Sequence, residues 1–587
     1  MLRDYTYKFF GIIKENGVRA TLNFLFIFAF INAFIAVFGS ENTIVGVAVI
    51  IIMLSSMVRD MTAAPVKHFL HQAGVMLLIV LSSCLVNLLP PAPVFFLNLL
   101  TVFIIIYAFT YEYASHMYFP YILSYLFLVY ISPVSADQLP KRIAAVLAGS
   151  ACIILYQLYK GRRRVMETAQ SVLCAMIDQA GQSIRFLASG EGEPACAHQV
   201  RALLCRLSRI VFERRKRALC ISDASFALVD VGRGLENLIL LLNDLAAHQD
   251  LQREPGQNPR RFPGQLLLLE RISIELEGYR RFLLRETQSL PPLNRRDLIF
   301  PGEEPEERLY SALDYLRSHL LHMTDPEKKT LYRKTGLSMR IRIQAALDVS
   351  AVRVVYAIRV SVVLSLFFLA VQALDLPHGK WLMFTLASLS MPYADDVGKK
   401  TGQRVTATFI GGLASLVIYS LVPSVPGRSA VMIFFGYFSG YFSGYTSVYA
   451  CSTISALGGA VLAGYAGWEQ VGLMCLIRLA YICLGSAIAL VANCVLLPFR
   501  RSRATELLMK KYSKTTSLLT RVCREENLDP QLYYNLVIQA HLQEEKLLQN
   551  APEADRKGMR DLLEVCRRHV RDAHRHRPFP CSPAAAG

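Results

Sequence analysis

Long apolar runs constrain this chain more than any other feature of its sequence. Stretches of about 18 or more mostly apolar residues recur within 20–160 and again within 352–497. A helix of about 20 such residues spans a bilayer, because it satisfies its own backbone hydrogen bonds where no water is present. The remaining segments, 161–351 and 498–587, have the composition of ordinary soluble protein. The pattern predicts a polytopic membrane protein with soluble segments between and after its apolar blocks.

The composition agrees, since 53% of the residues are hydrophobic and soluble domains rarely exceed about 45–50%. We predict an all-α protein built as two parallel six-helix transmembrane repeats, with a helical cytoplasmic domain between them and a helical C-terminal tail. The expected segments are 1–160 (first block of about six helices), 161–351 (cytoplasmic domain), 352–498 (second block of about six helices) and 499–587 (tail). The predicted spans are 20–38, 43–58, 68–89, 93–110, 117–133, 141–159, 353–373, 380–393, 403–422, 428–447, 449–466 and 471–497.

Basic residues indicate the orientation. Loops on the cytoplasmic side of membrane proteins are enriched in Lys and Arg, which explains the net charge of +18 without nucleic acid. The rule predicts that both termini are cytoplasmic. Residues 1–19 lack the features of a cleavable signal, so the first apolar run reads as a retained helix. The residues that we expect inside include Arg59, Lys67, Lys160, Arg162, Arg163, Arg164, Lys399, Lys400, Arg404, Arg500, Arg501 and Arg503.

Matched spacings indicate an internal duplication. Lys67 precedes Gly74 as Arg404 precedes Gly411, with six residues between the members of each pair. Arg142 likewise heads a run that ends in Gly-Ser-Ala, as Arg478 does in the second block, again at one spacing. The two offsets between the blocks are 337 and 336 residues. An even number of spans in each copy would keep both copies in the same orientation, as parallel transporter repeats require.

Catalytic and metal-binding motifs are not found in the sequence. The thirteen cysteines form no C-x-x-C pair and no Cys/His cluster, so we expect reduced structural thiols and no metal. Gly398-Lys-Lys-Thr-Gly402 lacks the upstream glycine of a phosphate-binding loop. We therefore expect neither a cofactor nor an enzymatic activity.

Charged residues inside the predicted spans are the main candidates for a site. Arg478 lies several residues into the last span, where an unpaired guanidinium costs about 2.5–3.5 kcal/mol on insertion scales. One interpretation is that Arg478 contacts an anion on a translocation path. The other is that its side chain snorkels to the outer face of the membrane or pairs with Glu469. The same alternatives apply to its repeat mate Arg142 and to Arg359, which lies inside the predicted span 353–373. Arg404 is either an anion contact or an anchor at the inner face.

Two further groups are candidates. Asp395 and Asp396 could take up protons at the membrane boundary, or form a solvated carboxylate pair. A segment of period four follows at 436–445, and its tyrosines form a stripe that would suit an aromatic or amphipathic solute. Its glycines permit close helix packing, within or between subunits, so a homodimer stays open. The residues are Tyr437, Tyr441 and Tyr445 for the stripe, which Tyr449 continues, and Gly436, Gly440 and Gly444 for the packing face.

Three motifs resemble the fusaric acid resistance family of aromatic acid exporters. They are Leu376-Pro-His-Gly-Lys-Trp381, Met391-Pro-Tyr-Ala-Asp-Asp396 and Arg404-Val-Thr-Ala-Thr-Phe-Ile-Gly411, and Ala407 departs from the glycine common in the family. The resemblance implies export of small organic acids, aromatic carboxylates above all, across the inner membrane of a Gram-negative bacterium. It also implies a periplasmic adaptor protein for some relatives, and plant anion channels are similar in membrane fold.

Three functions remain open at this point. The first is a secondary exporter of organic anions driven by the proton gradient, with Arg359, Arg404 and Arg478 as cationic contacts. The second is an anion channel on the same scaffold. The third is a scaffold or sensor that transports nothing, and salt bridges from all three arginines to acidic side chains would favour it.

Overall fold

Every regular element in the described part of the chain is helical. The computed structural model describes residues 2–57, 65–113, 116–190, 193–213, 223–251, 265–290, 292–293, 304–324, 350–422, 424–442, 444–462, 468–524, 530–551 and 556–575. The helices are α1 Leu2–Phe38, α2 Thr43–Ser56, α3 Pro65–Val86, α4 Pro91–Phe109, α5 Tyr118–Tyr130, α6 Leu139–Ser189, α7 Ala197–Glu213, α8 Asp223–Leu251, α9 Gln265–Leu283, α10 Glu304–Thr324, α11 Ala351–Ala373, α12 Lys380–Leu389, α13 Val397–Leu421, α14 Val425–Phe438, α15 Tyr445–Leu462, α16 Trp468–Cys494, α17 Arg501–Arg524, α18 Pro530–Asn550 and α19 Arg556–Arg575.

Seven helical segments of the described chain are long and apolar enough to cross a membrane. The predicted helical class is confirmed, whereas the arrangement as two six-helix repeats stays a prediction. Two further apolar helical segments, Ser40–Ser56 and Tyr118–Tyr130, are shorter. The seven segments are Ala20–Phe38, Pro65–Val86, Pro91–Phe109, Ala136–Lys160, Ala351–Ala373, Ala394–Leu421 and Glu469–Cys494.

The chain divides into two compact units. The membrane unit comprises Met1–Val58, Val66–Tyr156 and Val349–Arg503, and therefore holds both apolar blocks. Within it, α4 of the first block packs along α11 of the second. Arg353 joins this pair, because its guanidinium lies 4.3 Å from the ring centre of Tyr107 and donates to the backbone carbonyl of the same residue.

Two close helix contacts occur at matching positions of the blocks. A Cβ added at Gly149 in α6 would come to 3.3 Å from Cγ1 of Val49 in α2. A Cβ added at Gly485 in α16 would come to 2.9 Å from Cγ2 of Thr385 in α12. Val49 and Thr385 are separated by 336 residues, as are the two glycines. Glycine thus permits the same close approach in each block.

The period-four segment is not one continuous helix. The sequence predicts a single span over 428–447, but α14 ends at Phe438 and a 3₁₀ turn follows over Ser439–Tyr441. A new helix begins only at Tyr445. Closely spaced glycines weaken a helix because each leaves the backbone more freedom in the unfolded chain. Repeated Gly-Tyr-Phe-Ser therefore marks a break between two helices.

The second unit comprises Arg59–Pro65, Gln157–Asp348 and Ala504–Gly587, so the C-terminal helices belong with the middle region. Its core contains a buried carboxylate, Glu544 of α18, which pairs with Arg201 of α7 at 3.0 Å and with Arg567 of α19. Arg201 also pairs with Glu236 of α8 at 3.1 Å. Burial alone would raise the pKa of Glu544, but the two arginines hold that pKa below its usual value. One ionised network thereby joins four helices.

The described cysteines form no disulfide bonds with one another. The eleven described cysteines are all free. Cys220 and Cys581 lie outside the described residues, as do the side chains of Arg162, Arg163 and Arg164.

Candidate functional site: a row of cations in the membrane unit

Small residues bring four helices of the second block together. A Cβ at Gly411 of α13 would lie 2.6 Å from the carbonyl oxygen of Ala450 in α15, so α13 and α15 approach closely. On the other side of α13, the Cys475 thiol of α16 donates to the carbonyl of Gly412 at 3.4 Å. The contact between Gly485 and Thr385 adds α12 to the group. Side chains that point between these helices are removed from the surface of the unit.

Two arginines lie between these helices with no acidic partner among the described residues. Arg404 of α13 and Arg478 of α16 are each 7% exposed. The Nε atom of each has no hydrogen-bond partner, and no carboxylate in the described part of the chain lies within ion-pair distance of either. Their charges are close enough to repel each other. Buried cations are usually paired, so these two charges lack the compensation that the described protein groups would normally supply.

Aromatic rings take the place of carboxylates beside these cations. The Arg404 guanidinium lies 4.1 Å from the ring centre of Tyr449, and that of Arg478 lies 5.3 Å from the ring of Trp381. A ring face attracts a cation by about 0.5–2 kcal/mol, but it leaves the donor N–H groups in the guanidinium plane free to bind an anion.

Lys400 extends the row by one helical turn. It lies four residues before Arg404 on α13, and its ammonium is 5.7 Å from the ring centre of Tyr445. Its hydrogen bond goes to the sulfur of Met391 at 3.2 Å, a weak acceptor. The ammonium repels Arg404, which in turn repels Arg478. We call Lys400, Arg404 and Arg478 the cationic ladder, in which Arg404 is the middle member and each cation faces one ring.

Arg142, the repeat mate of Arg478, has a different environment. Its guanidinium donates to the side chain of Asn42 at 3.1 Å, to the carbonyl and hydroxyl of Ser132 at 2.6 and 2.8 Å, and to the carbonyl of Glu41 at 2.9 Å. Arg142 therefore holds loops together, and its hydrogen-bonding capacity is used within the protein. At the equivalent position of the two blocks, the arginine of the first block thus has its hydrogen-bond partners, and the arginine of the second block lacks them among the described residues.

Arg359 differs from the ladder residues in its hydrogen bonds. It is 3% exposed, and its guanidinium donates to the backbone carbonyls of Leu497 at 3.2 Å, Pro392 at 3.2 Å and Met391. These acceptors are neutral carbonyls of two loops. Both terminal nitrogens of Arg359 therefore have protein acceptors, whereas Arg404 and Arg478 have none among the described residues.

The aspartate pair lies at the start of α13 and is engaged by one residue. Asp396 pairs with the Arg501 guanidinium at 2.6 Å, and Asp395 accepts the Arg501 backbone N–H at 2.7 Å. Asp396 also attracts Lys400 electrostatically. Both carboxylates therefore lie at the end of α13 that carries the first member of the ladder.

The predicted tyrosine stripe is divided between two places. Tyr445 lies beside Lys400 and stacks with Tyr449, with ring centres 4.2 Å apart. The Tyr437 hydroxyl instead bonds to that of Thr21 in α1 at 2.8 Å and to that of Tyr441. No contact of Tyr437 or Tyr441 with Arg404 or Arg478 occurs among the residues described.

The glycines of this segment make few contacts. A Cβ at Gly440 would lie 3.7 Å from that of Ala20 in α1, and one at Gly444 would lie 3.9 Å from the Ser447 hydroxyl. A Cβ at Gly436 would meet nothing within 4 Å. Gly440 is thus the member of the three that approaches another helix within the chain.

The apolar helices of the described chain and a family match together indicate a multi-pass membrane protein of the transporter type. Residues 364–492 match the family described as fusaric acid resistance protein-like, which confirms the resemblance over that range. The matched range includes all three members of the ladder and the rings that face them. Comparison with curated proteins and with solved structures found no match.

Proposed function

We propose that this protein is a secondary transporter that exports small organic anions, in particular aromatic carboxylic acids, across the bacterial inner membrane at the expense of the proton gradient. The observation that carries the proposal is the cationic ladder. Arg404 and Arg478 are buried and lack carboxylate partners among the described residues. A carboxylate ligand would complete their hydrogen bonds, and the adjacent rings of Tyr449 and Trp381 would contact its aromatic part.

Charge favours anions over other solutes at this site. The region is positive, because the three cations of the ladder outnumber the two carboxylates at the start of α13 and Arg501 already binds both of those carboxylates. In a medium of low dielectric constant such a region attracts anions strongly and excludes cations. Asp395 and Asp396 are our candidates for proton coupling, because protonation of Asp396 would weaken its pairing with Arg501 beside Lys400.

An anion channel on the same scaffold is the second candidate. A row of cations also conducts anions when each one binds its ion weakly enough to release it. The scaffold or sensor function is less well supported, because none of Arg359, Arg404 and Arg478 forms a salt bridge with a described acidic side chain. A periplasmic adaptor and a homodimer stay predictions.

Uptake of radiolabelled 4-hydroxybenzoate into inside-out vesicles tests the proposal. We expect accumulation that a protonophore abolishes, and loss of accumulation in Arg404→Gln and Arg478→Gln at matched expression. Arg428→Gln is the control, since Arg428 is a buried arginine of the same block that donates to the Val422 carbonyl at 2.9 Å. Uptake that follows membrane potential and ignores the protonophore would favour the channel. Equal uptake in the wild type and both ladder variants would refute the site.

A further inference from the structure

Two loops of the membrane unit are fastened together beside the ladder. One is the segment 390–396, which leads into α13, and the other is the segment 495–501, which leads into α17. The Ala394 N–H donates to the Phe499 carbonyl at 3.0 Å. The rings of Tyr393 and Phe499 stack with their centres 6.4 Å apart. Residues more than a hundred positions apart in the sequence thus form one joined structure.

Arg359 bridges the same two loops from α11. One nitrogen of its guanidinium donates to Leu497 in the second loop, and the other donates to Met391 and Pro392 in the first. A planar guanidinium fixes both the distance and the orientation of its acceptors, which an ammonium would not do. Both terminal nitrogens of Arg359 thereby hold the two loops in register.

Arg501 completes the junction with charge. Its guanidinium pairs with Asp396 at 2.6 Å and lies 5.6 Å from the ring centre of Tyr393, while its backbone N–H binds Asp395. Asp396 immediately precedes α13, at the N-cap position of that helix. We call the contacts of Arg359, Arg501 and Asp396 with the two loops the loop clasp.

We propose that the loop clasp positions the cationic ladder, with Arg359, Arg501 and Asp396 as positioning residues. The proposal rests on the anion site proposed above and deepens it. Lys400 and Arg404 follow Asp396 by one and two turns of the same helix, whereas Arg478 lies on α16. A displaced inner end of α13 would therefore move two members of the ladder relative to the third. Binding groups must be held within about 0.5 Å of their productive geometry, so such a shift weakens anion binding.

Charge exchange at the clasp tests this proposal. Arg501→Ala is expected to raise the KM for 4-hydroxybenzoate about threefold to tenfold, with little change in maximal rate, because a partly exposed ion pair contributes about 1 kcal/mol. Asp396→Asn is expected to raise the KM by the same factor and also to lower the maximal rate, because Asp396 is a candidate for proton coupling as well. The doubly exchanged Asp396→Arg, Arg501→Asp protein is expected to recover most of the lost affinity. Arg500→Ala is the matched control, since Arg500 is the exposed neighbour of Arg501.

A second readout does not depend on transport. Thr408 lies one turn beyond Arg404 and is 3% exposed, so a cysteine introduced by Thr408→Cys should react slowly with a charged thiol reagent. Mass spectrometry of that peptide is expected to find faster modification in Arg501→Ala, and the wild-type rate after charge exchange. An unchanged rate together with an unchanged KM would overturn the clasp. An altered rate in a protein that never transports the anion would support the clasp and refute the proposed substrate instead.

Discussion

Replacement of Arg478 by glutamine is expected to stabilise the protein while it weakens anion binding. The free protein holds this guanidinium 7% exposed with no carboxylate partner in the described residues. An unpaired arginine at membrane depth costs about 2.5–3.5 kcal/mol, and the stacking on Trp381 returns about 0.5–2 kcal/mol of that. The difference predicts a gain of roughly 0.5–3 kcal/mol in the free energy of unfolding for Arg478→Gln, of the kind found where function requires a strained site.

Arg142 is the matched comparison for this prediction, because it occupies the equivalent register and is 2% exposed. Its four hydrogen bonds to Asn42, Ser132 and Glu41 are charge-assisted. Each such bond contributes about 1.5–3 kcal/mol, so Arg142→Gln should lose at least about 3 kcal/mol. The two arginines are therefore predicted to respond in opposite directions.

Thermal unfolding of the purified proteins in one detergent measures both effects. We expect the unfolding temperature of Arg478→Gln to lie above that of the wild type, and that of Arg142→Gln to lie well below it. Added 4-hydroxybenzoate should stabilise the wild type and leave Arg478→Gln unchanged, since a ligand stabilises only the state that binds it. An Arg478→Gln protein as unstable as Arg142→Gln would refute the reasoning, because Arg478 would then have a structural partner.

Three further predictions follow from the ladder and the second unit. Lys400→Met should raise the KM for the anion without a loss of folded protein, measured as vesicle uptake, because its ammonium donates to a thioether, a weak acceptor. Benzene dicarboxylates should compete with the labelled substrate better than benzoate does, since two buried guanidinium groups are balanced by two negative charges. Glu544, whose pKa is held low, stabilises the second unit fully above the unfolded carboxyl pKa of about 4.3 and loses this contribution as the pH falls through its lower folded value. Glu544→Gln should therefore be less stable at pH 7 and lose less stability between about pH 5 and 3 by thermal unfolding.

The sequence predicted the part of this site that depends on local pattern. Arg404 and Arg478 were identifiable because a charge within an apolar run is costly and calls for a reason. Lys400 was not, because lysines at the inner ends of spans are common topology signals, although its i, i+4 spacing to Arg404 was visible in the sequence. The role of Trp381 and Tyr449 as ring partners depends on the packing of four helices, which no single segment contains.

Long-range contacts explain what the sequence could not specify. The acceptors of Arg359 and the partner of Asp396 lie in loops more than thirty and a hundred residues away along the chain. The helical period alone does not predict the break after Phe438, since Gly-Tyr-Phe-Ser repeats satisfy that period while their glycines weaken the helix. The apolar runs do predict the helical class. A single segment of this length in lipid satisfies its own backbone hydrogen bonds only as a helix.

Equilibrium binding reported by Trp381 tests the central claim most directly. The chain has two tryptophans, so Trp468→Phe leaves Trp381, the ring beside Arg478, as the one remaining tryptophan. We predict that 4-hydroxybenzoate changes its emission saturably, and that Arg404→Gln and Arg478→Gln each weaken binding about 10-fold to 100-fold, as the loss of a charge-assisted hydrogen bond implies. Equal affinity in Trp468→Phe and in both ladder variants made on it would contradict the account, because the anion would then bind elsewhere or not depend on these cations.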